Sequence, residues 1–231
     1  MKSIIMDDDH EFHMMQLADS FFPSGIFGLS GGLETLVKSG KIKDAKDVMW
    51  LIRQQLKLQI IPLDAVVLSS VMDAAGRGDI ELAVEADNRY YSIKLVSEVR
   101  TASTRSGRQL VRTILSLKNN GFARKFKDKI DKGESPGTYP AGLAIAAWAL
   151  KIPKRSAVRM MLYSYCVGMI GSAVRLGIIS HIEGQKILYR LADDANSFDP
   201  DMRLDEVWQL NPIAEILQMQ HEHDEFRMFI T

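Results

Sequence analysis

The chain has a single cysteine, Cys166, in 231 residues. That excludes an internal disulfide and any cysteine-built zinc or iron–sulfur centre, and it points to a reducing compartment, the cytoplasm. A chain this long forms a core without such staples. An excess of either charge is lacking too, with 29 Lys and Arg against 29 Asp and Glu. A balanced total removes the usual drive toward nucleic acid or an anionic membrane, so neither is expected as a partner. Long apolar runs are also missing. The longest charge-free stretch lies between Arg159 and Arg175, short of the roughly 20 residues that span a bilayer, and reads as a buried core helix. At the N-terminus, MKSIIMDDDHEFH turns to Asp7, Asp8 and Asp9 too soon to be a secretory h-region.

Sustained strand-type alternation is absent, whereas apolar residues recur near every 3.6 positions along most of the chain, which predicts an all-α fold. The seven prolines are few, and Pro23, Pro62, Pro136, Pro140, Pro153 and Pro212 stand where helices begin or connections run. Between them the spacing predicts helices near 11–19, 30–39, 44–60, 63–75, 79–90, 92–118, 121–131, 139–151, 154–177, 180–194 and 212–225. One compact multi-helix domain spanning 1–231 is expected, with 1–10 a flexible tail and KGESPGTYP (132–140) an internal loop.

The charge is uneven along the chain. From Lys94 to Lys132 eleven basic residues face three acidic ones, a net +8; from Asp193 to Thr231 two basic face ten acidic, a net −8. These are either solvated faces that pair with each other or complementary docking surfaces for protein partners.

The most unusual segment is ADSFFPSGIFGLSGGLE, Ala18 to Glu34. Its glycines suggest a phosphate cradle, but no GxxxxGK[ST] spacing is present and no strand precedes it. Phe21, Phe22 and Phe27 either fold onto the core, with Ser30 capping the next helix, or face a partner. In the helix near 92–118, Ala102, Arg105, Gln109 and Arg112 fall within about 40° of Glu98 at 100° per residue. This polar stripe is a surface row or a buried network at a helix interface. Val96, Val99, Ser103, Gly107, Leu110, Ile114 and Leu117 lie opposite, an apolar face whose small residues admit a close neighbour. The helix 154–177 is apolar nearly all round and should be central, with Cys166 an inert buried thiol.

His221 and His223 diverge by about 200° on a helix and cannot chelate together, and His10 and His13 beside Asp7–Asp9 read as part of an acidic tail. No HExxH, GxSxG, dinucleotide fingerprint or paired catalytic carboxylates can be placed, so no catalytic residue, metal site or cofactor is expected. Two other classes remain as rivals: an all-α enzyme with Glu98, Arg105 and His221 meeting in a cleft, and a nucleic-acid binder using the basic patch at Lys118 to Lys132.

Five blocks, taken in order, carry a resemblance: QLADSFFPSGIFGLSGGLE (Gln16–Glu34), SEVRTASTRSGRQL (Ser97–Leu110), TYPAGLAIAAWALKI (Thr138–Ile152), SAVRLGIISHIEGQKIL (Ser172–Leu188) and NPIAEILQMQHEHDEFRMFIT (Asn211–Thr231). Together they resemble the urease accessory protein F family, UreF, collinearly over nearly the whole chain. The resemblance implies an all-α, non-catalytic chaperone for nickel insertion into apo-urease, a metallocentre-assembly factor. It also implies a homodimer that binds a D/H-type accessory protein and, through it, recruits and regulates the nickel-carrying accessory GTPase.

The family motifs fall on Asp19, Ser20, Pro23, Gly25, Phe27, Ser30, Gly32, Leu33 and Glu34, then on Arg105, Gly107, Arg108 and Gln109. Val174, Arg175, Leu176 and Gly177 follow, then Pro212, His221, Glu222, Arg227 and Phe229. From these, the expected partner-binding residues are Pro23, Gly25, Phe27, Glu34, Arg105, Arg108, Gln109, Arg175, His221, Glu222, Phe226, Arg227 and Phe229. The apolar end, 224–231 with Phe226, Met228, Phe229 and Ile230, is expected to dock into the D/H-type partner. The chain departs from the family where many relatives carry histidine, at Gly28-Leu29 and at Tyr139, which argues against nickel ligation at those positions. Its end reads Arg-Met-Phe-Ile-Thr where relatives end in Arg-Leu-Phe and a small polar residue.

Overall fold

The structure, a computed structural model, describes residues 9–19, 21–22, 32–195, 198, 202–212 and 215–216. Within them the chain is helical, without strands: α1 (Asp9–Ala18), α2 (Leu33–Lys38), α3 (Ala45–Gln55), a π-helical segment (Leu56–Ala65), α4 (Val66–Arg77), α5 (Ile80–Ile93), α6 (Ser97–Leu117), α7 (Gly121–Asp131), α8 (Tyr139–Ala149), α9 (Lys154–Arg175), α10 (His181–Ala195) and a 3-10 turn (Leu204–Glu206). The all-α expectation holds.

Local chemistry explains most boundaries. Asp44, Asp79 and Asn120 each stand just before a helix and accept first-turn amides: Lys46 and Asp47 for α3, Leu82 for α5, Ala123 for α7. Ahead of α10, Ser180 and Glu183 form a reciprocal box, Ser180 Oγ accepting from the Glu183 amide and Glu183 Oε2 from the Ser180 amide at 2.8 Å. Gly78, at φ 71°, ends α4 in the left-handed conformation that a side chain disfavours.

One expectation is overturned. Pro62 does not divide two helices; a single helical run extends from Ala45 to Arg77. The chain passes the proline by widening into the π-helical segment, the usual response of a helix that must accommodate a residue without an amide proton. At the other end, the Glu215 amide donates to Asn211 O, the first-turn bond expected from the Asn-Pro start, but most of the helix expected over 212–225 lies outside the described residues.

The core is built around α8 and α9. Nine of the eleven residues of α8 are buried, and it packs against α4, α5, α6, α7 and α9. Helix α9 packs on α1, α2, α3, α4, α8 and α10, burying Met160, Met161, Leu162, Cys166 and Met169, as its all-round apolar pattern predicts. Two runs, Ala45–Arg77 and Lys154–Arg175, are long and apolar enough to cross a membrane by length and composition; most of each is buried against the rest of the fold. Burial pushes the Cys166 thiol up to about 12, which keeps it protonated and inert.

Candidate functional site

Helix α6 carries the polar stripe, and its other face explains why the stripe is held so firmly. A Cβ at Gly107 would fall on the Thr138 carbonyl, and one at Gly142 would lie 2.5 Å from Gly107 O. Backbone therefore meets backbone where α6 crosses the start of α8, as the small residues of that face predict. Asp87 of α5, wholly buried, holds the loop that enters this contact. Its carboxylate accepts from Ser135 Oγ, from the Gly137 amide at 2.6 Å, and from both the amide (2.9 Å) and hydroxyl of Thr138. Burial pushes the Asp87 carboxyl above its ordinary range, while these donors pull it back. Ser103 Oγ accepts the Tyr139 amide at 3.0 Å, and Arg108 Nε donates to Pro136 O at 2.8 Å.

With its inner face fixed, α6 presents Arg105, Gln109 and Arg112 to solvent. The stripe is thus a surface row and not a buried network. Ala102 leaves it, being 4% exposed, and Leu117 leaves the opposite, apolar face for solvent at the helix end. Below that corner Lys94, itself part of the basic segment, is buried: its Nζ lies 3.1 Å from Asp64 Oδ2, and Tyr90 OH donates to Asp64 Oδ1 at 3.0 Å. A buried cation paired in this way adds nothing to the surface field. The other ion pairs of the basic segment run to Glu81, Asp131 and Glu134, and those of the acidic segment to Arg53 and Arg203.

A second surface bears on the alternatives for the phenylalanines after α1: Phe22 is buried, whereas Phe21 is exposed. Met14, Met15, Ala18 and Asp19 of the α1 end face Ser156, Arg159, Met160 and Tyr163 of α9 across a cleft of about 490 Å³. Met15 and Tyr163 of its lining are exposed, as are Phe12 on α1 and Phe21 beyond the helix end, Phe21 at 95%. Methionine-lined clefts adapt to protein partners, and exposed apolar surface of this kind marks interaction sites. The only signal in the sequence is the run FHMMQLADSFF, whose spacing alone does not reveal which face is left uncovered.

A third element is an extended arm, residues 203–211, which crosses the π-helical segment and α5. The Leu210 amide donates to Leu58 O at 2.8 Å, the Trp208 amide to Pro62 O at 3.3 Å, and Gln209 Nε2 to Ile93 O at 3.3 Å. Arg89 donates to Asp205 O at 3.3 Å. This arm is what positions the start of the C-terminal tail.

The sequence-derived candidates scatter over these elements. Arg105 and Gln109 share the exposed row of α6; Arg108, beside them, is engaged with the Pro136 carbonyl. Glu34 is 2% exposed and pairs with Lys38 at 3.0 Å within α2. Arg175, exposed at the end of α9, donates to Ser172 Oγ at 3.0 Å. Pro23, Gly25, Phe27, His221, Glu222, Phe226, Arg227 and Phe229 lie outside the described residues, as do Ser30 and His223. None of the three clefts lining α1–α9, α4–α8 and α3–α10 includes Glu98 or Arg105, the pair that the enzyme rival needs in a cleft with His221. Among the described residues no three His, Cys, Asp or Glu side chains come together as a metal site.

Known proteins are similar to this chain over most of its length. The UreF family model matches residues 42–192. The chain is 30% identical over 226 residues to a protein of Trichodesmium erythraeum (strain IMS101) named urease accessory protein UreF, covering 96% of this chain and 97% of that one. It is 27% identical over 223 residues to the urease accessory protein UreF of Actinobacillus pleuropneumoniae serotype 5b (strain L20), covering 94% and 97%. A Brucella canis (strain ATCC 23365 / NCTC 10854 / RM-666) protein named urease accessory protein UreF 2 is 28% identical over 222 residues, covering 95% and 91%. These names describe accessories to an enzyme and not enzymes.

Proposed function

This chain belongs to the UreF family of urease accessory proteins, and we propose that it acts as a non-catalytic scaffold in nickel insertion into apo-urease. In this reading it works in the cytoplasm as a homodimer, binds the D/H-type accessory protein, and through that assembly recruits and regulates the nickel-carrying GTPase. It is a single domain over 1–231 and holds no cofactor of its own. The observation that carries the reading is the α1–α9 cleft, with Met14, Met15 and Met160 in its lining and Met15 and Tyr163 exposed.

Three surfaces divide the work. The tail 224–231, with Phe226, Arg227 and Phe229 and with His221 and Glu222 just ahead of it, engages the D/H-type partner. The α1–α9 cleft is a second partner-binding surface, and Pro23, Gly25 and Phe27 serve partner binding too. The α6 row of Arg105, Arg108 and Gln109, with Arg175 at the end of α9, contacts the GTPase or the second copy, where a row of cations on a rigid helix favours an acidic face. Glu34 supports this region from within, through α2.

Reconstitution tests the reading. Apo-urease, nickel, GTP and the other accessory proteins are combined with and without this chain; activation that does not depend on the chain overturns it. Truncation after Asp224 is expected to abolish co-purification with the D/H-type partner, and Met15→Glu in the α1–α9 cleft to weaken capture of an accessory partner about tenfold or more, as for a lost interface anchor. Arg105→Ala with Arg112→Ala is expected to leave the melting temperature unchanged, since surface substitutions of this kind shift stability by less than about 0.5 kcal/mol. The same pair is expected to reduce GTPase recruitment in a salt-dependent way.

A further inference from the structure

We infer that Pro62 sets the point at which the C-terminal arm leaves the helical body, by opening a main-chain socket that residues 207–211 occupy. In an α-helical register the amide that reaches Leu58 O belongs to residue 62, and proline has none. That carbonyl accepts the Leu210 amide, at 2.8 Å. One turn on, the Val66 amide turns to Leu63 O, and the Pro62 carbonyl accepts the Trp208 amide at 3.3 Å.

The spacings agree. Leu58 and Pro62 lie four positions apart on the π-helical segment, and Leu210 and Trp208 two extended residues apart on the arm. A run antiparallel to the helix therefore reaches both carbonyls at once. Side chains close the match: Asn211 Nδ2 donates to Gln59 Oε1 at 3.4 Å and Gln209 Nε2 to Ile93 O. Along the arm Val207, Gln209 and Asn211 are half-buried, while Trp208, Leu210 and Pro212 face solvent.

Because an extended chain alternates its sides, a slip of one residue would turn Trp208 and Leu210 inward and withdraw their amides from both acceptors. The socket thus holds the arm to one register and launches the tail from one place. That this launch point matters for partner capture rests on the function proposed above; the register itself does not.

The test is hydrogen–deuterium exchange resolved to single amides, on the full chain. Pro62→Ala restores an amide that closes on Leu58 O and competes with Leu210. The Trp208 and Leu210 amides are then expected to exchange about tenfold faster, while Val67 to Ala75 in α4 stay as protected as before. Unchanged exchange at Trp208 and Leu210 overturns the socket.

Leu210→Pro is the second variant, should Pro62→Ala fail to fold. It removes the donor from an exposed position and keeps Pro62, and the Trp208 amide is expected to lose protection to the same extent; full protection there overturns the proposal equally. Capture of the D/H-type partner is measured alongside. Faster exchange together with weaker capture supports both readings, whereas faster exchange with unchanged capture overturns the role of the tail and leaves the socket standing.

Discussion

Two segments outside the α-helices are fastened to this helical body in opposite ways. The loop 133–138 is drawn inward: a buried carboxylate, Asp87, gathers its hydroxyls and amides, and Gly107 lets its backbone touch α6. The arm 203–211 lies outside, held by amides donated to two carbonyls of an interrupted helix and by two side-chain amides. The inner fastening excludes water and tolerates no added atom, so it fixes how α5, α6 and α8 meet. The outer one consists of bonds that water can replace, each worth about 1 kcal/mol net. Rigidity is thus concentrated beneath the α6 cation row, and freedom to move at the root of the tail, which suits a scaffold that must hold one partner surface still while another engages.

The largest break in this contrast is expected from Gly107→Ala. The new methyl would meet the Thr138 carbonyl, a backbone atom that cannot swing aside, at a cost of about 3 kcal/mol. Chemical denaturation measures it, and a loss below about 0.5 kcal/mol would mean that α6 and α8 separate easily. Next comes Asp87→Asn, which keeps the shape but replaces one acceptor oxygen by a donor facing donors, at about 2 kcal/mol. Smallest is Gln209→Ala on the arm, within about 0.5 kcal/mol.

Acid sharpens the contrast between buried and exposed carboxylates. Backbone amides of Asp47 and Lys46 hold the exposed Asp44 below its ordinary 3.8, whereas desolvation raises Asp87 above it. A lowered folded-state value gives stability that is present above 3.8 and lost as pH falls through the folded value, so the gap between wild type and Asp44→Ala should close in acid. A raised value works the other way: the folded state takes up its proton first, and stability from this group grows as pH falls toward 3.8. Asparagine cannot titrate, so the gap between wild type and Asp87→Asn should widen over that range. Melting temperatures across the pH series check both signs.

Much of the fold was legible in the residues. The 3.6 spacing located helices within a few positions, and Ser103 and Gly107 marked the close crossing on α6. Pro62 misled, because a proline's missing amide ends a helix only when nothing else satisfies the freed carbonyl; here the acceptor at Leu58 is used by Leu210, 152 residues later. Asp87 gave no signal, since its donors stand 48 to 51 residues away. Of the candidate sites, the row of Arg105 and Gln109 could be read from angle, but not that it faces solvent. The α1–α9 cleft could not, because periodicity shows that a face is apolar but not whether a neighbour covers it.

What the sequence determined by itself was the class and the family: an all-helical chain whose motif order matches UreF and whose neutral total hides a basic and an acidic segment. Those are local or collinear properties, written in spacing and composition. The tertiary structure alone decided which apolar face stayed open, which cation of the basic segment was buried, and what filled the gap at Pro62. Each depends on groups distant in the chain meeting at hydrogen-bond or van der Waals range, and no local pattern encodes such a meeting.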